Sequence, residues 1–425
     1  MILAATSIFV IAYILIASEK VSRMTVVSVG AALMFLIGAT STDSALYSHE
    51  TGVDWNVIFL LLGMMIIVSI IHKTGLFEYL AIKSIKMVKG DVKRGFVVIL
   101  LLVAFASALL DNVTTVMLAV PMTFLIARYL NVNPVPFIMG EIFVSNIGGA
   151  ATLIGDPPNI IIGSKVGLTF NQFLINMGPI VLLVLLSVIP LLVFMFRSEL
   201  QNSKSDRDAV LTLEPKEFIT DPILLKKSIL VLTAVVIAFI LHSVVHLEPA
   251  VVAMIGAGVL VFISGVKPAD FTRDIEWETL IFFAGLFIMV GALVEVGALQ
   301  IAAEYLSDLT GGDASVAATL LVTASALISG VVDNIPYVTS MIPVVEVMEN
   351  SIPSINNDGL WWALALGADF GGNLTIVGAS ANVVATGLAY ANGHKITFGQ
   401  FFKYGLPVTF VSIALALPYV LIRYF

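Results

Sequence analysis

Two stretches decide the architecture. Ser107-Ala-Leu-Leu-Asp111-Asn112-Val-Thr114-Thr115 returns 222 residues later as Ser329-Gly-Val-Val-Asp333-Asn334-Ile-Pro336-Tyr337. Each sets an Asp-Asn pair inside an apolar run, with a proline nine residues after the Asn (Pro121 and Pro343). An aspartate in hydrocarbon is costly unless it is paired, protonated or ion-bound. The runs flanking each pair, 95–110 with 112–127 and 314–332 with 334–345, are short for a bilayer, which takes about 20 residues. Short paired segments meeting at a polar midpoint read as re-entrant helical hairpins. Their tips free carbonyls at one helix end and amides at the other, donors and acceptors for an ion or solute. The plainer alternative is that Asp111 and Asp333 only cap the helices that follow.

A second pair of motifs lies downstream of each hairpin. Asn146-Ile-Gly148-Gly149-Ala-Ala-Thr152-Leu-Ile-Gly155-Asp156-Pro157-Pro158-Asn159 is matched, at an offset of 223, by Asp369-Phe-Gly371-Gly372-Asn373-Leu-Thr375-Ile-Val-Gly378-Ala-Ser380-Ala-Asn382. Glycine and proline pairs inside an apolar span break a helix and free backbone groups. Such a break is tolerated in a membrane where it lines a cavity or is buried in protein. A kink used only for close packing is the alternative. The two copies differ at acidic places: Asn146 stands opposite Asp369, and Asp156 opposite Ala379.

The rest of the chain agrees with a membrane reading. Apolar residues make up 59% of the 425, charged residues 12%, and the mean hydropathy is +1.04. So few charges cannot cover a soluble surface of this size. The net charge of −8 gives nucleic acid no electrostatic footprint. With no cysteine, disulfides, thiolate metal sites and cysteine nucleophiles are excluded. The N-terminal apolar segment, without a basic start or cleavage site, reads as a retained span. Ten spans plus two hairpins, with both termini outside, put 19 of the 21 Lys and Arg on the cytoplasmic side, as the positive-inside rule asks.

The predicted fold is an all-α polytopic membrane protein of two inverted repeats, each of five transmembrane helices and one re-entrant hairpin. The first repeat covers 1–197, with its hairpin at about 95–128 and a broken helix at about 137–164. A cytoplasmic linker follows at 198–227, and the second repeat covers 228–425, with its hairpin at about 314–346 and a broken helix at about 361–388. Inverted repeats give two related conformations of opposite access, as alternating-access transport requires.

The candidate substrate and ion site is Asp111, Asn112, Thr114, Thr115, Asn146, Gly148, Gly149, Thr152, Asp156 and Asn159 from the first half. From the second half come Asp333, Asn334, Asp369, Gly371, Gly372, Asn373, Thr375, Ser380 and Asn382. Glu141 and Glu346 are candidate proton-path residues, with a solvated interfacial carboxylate as the alternative. No Lys or Arg stands near either tip motif in the chain, so the aspartates are expected to lack a basic partner. No catalytic residue, cofactor or metal site is expected. The chain has no Gly-x-x-x-x-Gly-Lys-[Ser/Thr], His-Glu-x-x-His or Gly-x-Ser-x-Gly motif, so ATP hydrolysis by a P-loop and these hydrolytic chemistries are excluded.

The long motifs at 107–118 and 146–159 resemble the ion transporter superfamily, most of all its arsenical pump membrane proteins and the melanosomal P protein. The resemblance implies a homodimer, with a scaffold and an elevator-type transport domain in each protomer. It implies export of arsenite or antimonite across the cytoplasmic membrane in exchange for protons, with a sodium/proton antiporter or an anion (dicarboxylate) permease as the alternative. Where the sodium–carboxylate branch carries Ser-Asn-Thr at each tip, this chain keeps only Asn112 and Asn334. Two acidic groups in place of Ser would repel a multivalent carboxylate, whereas neutral As(OH)3 would not be repelled. The basic loops at 73–94 and 197–227 also suit a soluble ATPase partner, an addition to transport. A channel-like pore is a further class that the hairpins allow.

Overall fold

The computed structural model describes residues 1–18, 20–201, 211–352 and 358–425; part of the expected linker, 202–210, lies outside the described residues. In chain order the helices of the first half are α1 Ile2–Ser18, α2 Arg23–Leu36, α3 Thr42–Tyr47, α4 Trp55–His72, α5 Leu76–Met87, α6 Val92–Leu109, α7 Asn112–Leu130, α8 Val135–Gly149, α9 Pro157–Val166, α10 Phe170–Met195 and α11 Arg197–Gln201. After a 3-10 turn at Pro215–Phe218 come α12 Pro222–Val245, α13 Pro249–Ser264, α14 Pro268–Phe271, α15 Trp277–Glu295, α16 Ala298–Thr310, α17 Ala314–Ser329, α18 Asn334–Ser351, α19 Gly359–Gly371, α20 Ser380–Ala391 and α21 Phe398–Tyr424. No strand occurs among the described residues.

The helix starts keep the offset of the motifs. α4, α5, α6 and α7 begin 222 residues before α15, α16, α17 and α18, and α9 begins 223 before α20. Local chemistry recurs with them. Gly75 and Gly297 precede α5 and α16 at φ of 75° and 78°, a left-handed corner that glycine adopts without a Cβ clash. Asp91 and Asp313 accept backbone N–H bonds at the starts of α6 and α17, satisfying donors that every helix start leaves open.

Seven described helices are long and apolar enough to cross a membrane, or eight if the pair α16 and α17, bent by 119°, counts as one span. The ten spans expected from hydropathy are not all of full length, since α1, α2 and α13 hold 17, 14 and 16 residues. The arms of the first expected hairpin also differ from the reading. α6 and α7 have 18 and 19 residues, because α6, set by the Asp91 cap, takes in Lys93 and Arg94, and α7 runs on through Arg128 to its left-handed end at Asn131, all of which the apolar runs left out.

Packing puts the broken helices in the middle. α8 lies against α6 and α7, and α19 against α17 and α18. Every residue of α8 and of α19 is buried. Small residues allow the approach: a Cβ on Gly148 would meet the Ala104 backbone oxygen at 2.3 Å, and one on Gly371 would meet that of Ala326 at 2.6 Å. Helices in a membrane associate through such close backbone contact rather than through a hydrophobic drive.

Candidate functional site

The breaks in α8–α9 and α19–α20 are held by matching bonds. Ser107 Oγ donates to the Ser145 carbonyl and Ser329 Oγ to that of Ala368, each at 2.7 Å. Thr152 Oγ1 donates to the Ala108 carbonyl and Thr375 Oγ1 to that of Gly330, each at 2.6 Å. Asn159 Nδ2 donates to Ala150 and Thr152 carbonyls, and Asn382 Nδ2 to Gly372 and Thr375 carbonyls. Backbone groups released by the glycines thus find side-chain partners, as buried polar groups must.

Between the breaks lies a cluster of amides and acids. Asn112 Nδ2 donates to Asn146 Oδ1 at 3.2 Å and to Asp156 Oδ2 at 2.8 Å. Asn334 Nδ2 reaches Asp156 Oδ1 at 3.3 Å. Asp156 therefore holds the asparagines of both tips. Asn146 Nδ2 donates to Asn373 Oδ1 and Asn382 Oδ1, both at 2.9 Å. One side chain of the first half is tied to two of the second. Asp369, buried, has no hydrogen-bond partner on either carboxylate oxygen, and it lies beside Asn159, whose Oδ1 also lacks one. Asp369, Asp333 and Asp111 are all within electrostatic reach of Asp156.

The two tip aspartates do cap their helices. Asp111 Oδ1 accepts from Thr114 N at 2.7 Å, and the Thr114 hydroxyl bonds its other oxygen. Asp333 Oδ1 accepts from Ile335 N at 3.0 Å. The expectation that neither has a basic partner is wrong. Arg23, at the start of α2, places Nη1 2.5 Å from Asp333 Oδ2 and 2.7 Å from Ser380 Oγ. Ser380 Oγ in turn donates to Asp333 Oδ2 at 2.7 Å. The partner comes from 310 residues away, which inspection of the motif's neighbourhood could not find. Tyr13 of α1 also reaches this tip, through the Pro336 carbonyl and Ser340. Sequence reasoning missed both residues; Arg23 looks like any cation flanking a span.

A cavity of about 780 Å³ leads toward the Arg23 pair, with Lys20, Arg23, Val113, Ile335, Glu276 and Ser380 among its walls. At its edge, burial and nearby Asp111 push the Glu276 carboxyl up to about 7. The two candidate proton-path residues lie elsewhere. Glu346 is exposed near Lys165. Glu141 is fully buried against Thr123, between α7 and α8. Thr115 is buried near the first tip without a partner for its hydroxyl.

Buried acids and amides at the meeting of two helix tips and two helix breaks, inside a shell of apolar helices, define a membrane transporter rather than an enzyme. The chain belongs to the CitMHS citrate transporter family, which matches residues 13–367. It is 49% identical over 427 residues to an uncharacterized transporter of Mycobacterium tuberculosis, covering 100% of this chain and 99% of that one. It is 32% identical over 500 residues to the human P protein, covering 99% of this chain and 60% of the P protein. Its fold is similar to that of the YdaH transporter of Alcanivorax borkumensis, at a TM-score of 0.57 and 17% identity, covering 92% and 88% of the two chains.

Proposed function

We propose that this protein is a proton-coupled secondary transporter of small organic acids, of the di- and tricarboxylate class, with Asp369 carrying the coupling proton. One observation carries the coupling. Asn146 and Asp369 are equivalent places in the two halves, as are Asn382 and Asn159. On one side Asn146 Nδ2 donates to Asn382 Oδ1. The equivalent place sets Asp369 beside Asn159, and neither carboxylate oxygen of Asp369 nor Asn159 Oδ1 has a well-formed hydrogen bond. Asn159 is a weak donor there, since its Nδ2 is shared with two carbonyls. A proton on Asp369 supplies the missing donor and makes the two sides alike. Loss of that proton leaves a buried charge beside an acceptor, which favours rearrangement.

Arg23 supports the carboxylate class. The repulsion expected from two unpaired tip acids is halved when one of them is already paired. An anion entering the cavity meets Arg23 and can take its guanidinium, a fork suited to carboxylates, from Asp333. Citrate, the substrate for which the family is named, points the same way. The amides of Asn112, Asn146, Asn373 and Asn382 support a second reading, exchange of neutral arsenite or antimonite for protons. Paired inverted repeats, a moving domain against a scaffold, and a homodimer in the cytoplasmic membrane belong to either reading; the recurring helix starts and bonds support the first of these.

The test is flux into proteoliposomes containing this protein alone, with an imposed pH gradient and internal pH followed by a dye. Citrate or a dicarboxylate that enters against its own gradient while protons move is the expected result. Arsenite alone collapsing the gradient would establish the second reading. Sodium alone collapsing it would assign cation exchange. Asp369→Asn should keep substrate exchange and lose its dependence on the pH gradient.

A further inference from the structure

Glu141 lies outside the site just described. It sits in α8 with no ionisable residue at its equivalent in the second half, Leu364, so it belongs to no repeated scaffold. Its side chain is 0% exposed and one oxygen accepts from Thr123. The other, Oε2, is buried without a partner. It faces a cavity of about 30 Å³ among α5, α6 and α7, whose other walls include Phe77, Leu102, Val103, Met122 and Thr115. Thr115 Oγ1 is the cavity's second unpartnered polar atom, and Asn112 Oδ1 is unpartnered one turn further toward the tip. That volume is large enough for one water, which needs roughly 10–15 Å³ and two to four polar partners.

The polar positions share one side of α7. Residues 112, 115, 119, 122 and 123 recur at helical intervals along one side of α7, and Thr123 lies eight residues from Thr115, about 12 Å along the axis. We propose that Glu141 is a proton-binding site separate from the substrate site, taking up and releasing its proton through water in the cavity that it shares with Thr115. The path would open toward the end of α7 that carries Arg128 and the start of α6 that carries Lys93 and Arg94. This inference rests on the proton-coupled reading.

The surrounding charges leave Glu141 alone in its cavity. On α5, Lys86 bonds the Leu213 carbonyl and pairs with Glu214, Lys83 contacts Tyr79, and Glu78 does not line the cavity. On α6 and α7 the cations Lys93, Arg94 and Arg128 are exposed. α10 carries no ionisable side chain. On α21, Lys403 acts on Glu199, and on α19 Asp369 belongs to the central cluster. Among the charged residues of these elements, none is placed to hold Glu141 permanently ionised.

The experiment uses the full chain in liposomes. Infrared difference spectra of wild type, Glu141→Gln and Glu141→Asp are recorded over about pH 5 to 9, the range in which a displaced carboxyl would titrate. In parallel, citrate-driven proton entry and citrate counterflow, which moves no net proton, are measured. The expected result is a protonated-carboxyl band that titrates reversibly in wild type, vanishes in Glu141→Gln and persists, shifted, in Glu141→Asp. Proton entry should fall by about 100-fold in Glu141→Gln, the lower end of what losing one proton-transfer group costs, while counterflow is kept. Thr115→Val should slow proton entry and leave the band in place. A band that ignores pH overturns the proposal, as does an equal fall of counterflow and proton entry. If citrate does not move at all in wild type, the organic-acid reading fails, and the infrared titration alone then decides for or against Glu141.

Discussion

Asp111 and Asp333 begin equivalent helices, and both bond the backbone amides that follow them. There the likeness ends. Asp111 closes on its own turn through Thr114. Asp333 closes on Arg23 and Ser380, from two other helices. Through its aspartate the first tip is bonded only to its own turn, although Asn112 beside it holds Asn146 and Asp156. A tip bonded to α2 can leave only by breaking a buried ion pair. The same motif therefore serves two different parts of the molecule, and the difference lies wholly in the third partner.

The sharpest way to break the comparison is Arg23→Ala. It leaves the Asp333 carboxylate buried and unpaired and should cost about 3–5 kcal/mol, read as a lower melting temperature in detergent. Adding Asp333→Asn should recover most of that loss; failure to recover would mean that Arg23 stabilises through contacts other than the pair. Gly148→Ala and Gly371→Ala test the likeness instead. Both put a methyl into a facing backbone, and each should cost about 1–3 kcal/mol; a large inequality between them would show that the two crossings are not mechanically equivalent. Asp111→Ala should cost about 1 kcal/mol, a lost helix cap, and a departure of more than about 0.5 kcal/mol from additivity with Arg23→Ala would measure the coupling of the two tips through the Asp156 cluster.

The smallest effect belongs to Glu276, at the cavity edge. Its folded carboxyl is pushed up to about 7, from 4.5 in the free residue. The folded state therefore binds this proton more tightly than the unfolded state, and the stability it contributes is present below 4.5 and lost as pH rises through 7. Glu276→Gln should flatten the dependence of melting temperature on pH in that window. An unchanged slope would place the titrating group elsewhere.

Much of this was legible in the chain. The offset of 222 locates the starts of α4 to α7 against α15 to α18, and the glycine-rich motifs mark the breaks, because glycine, proline and buried aspartate carry meaning without knowledge of their neighbours. The amides that gather around Asp156 and Asn146 were named from those motifs alone. Arg23 and Tyr13 were not, since a contact across 310 residues leaves no trace in local spacing. The lengths of α6 and α7 were misjudged for a simpler reason. An apolar run stops at the first charge, whereas a helix stops where its caps are: Asp91 starts α6 before Lys93 and Arg94, and Asn131 ends α7 after Arg128.

The amide of Asn146 and the acid of Asp369 occupy matching places, yet they are not interchangeable joints. An amide can always donate. A carboxyl can donate only while it keeps its proton. With Asn at both places the molecule would be clasped on both sides under all conditions, and with Asp at both it would come loose on both sides together. On the proposed coupling, one of each makes a permanent rivet on one side of the centre and a removable pin on the other.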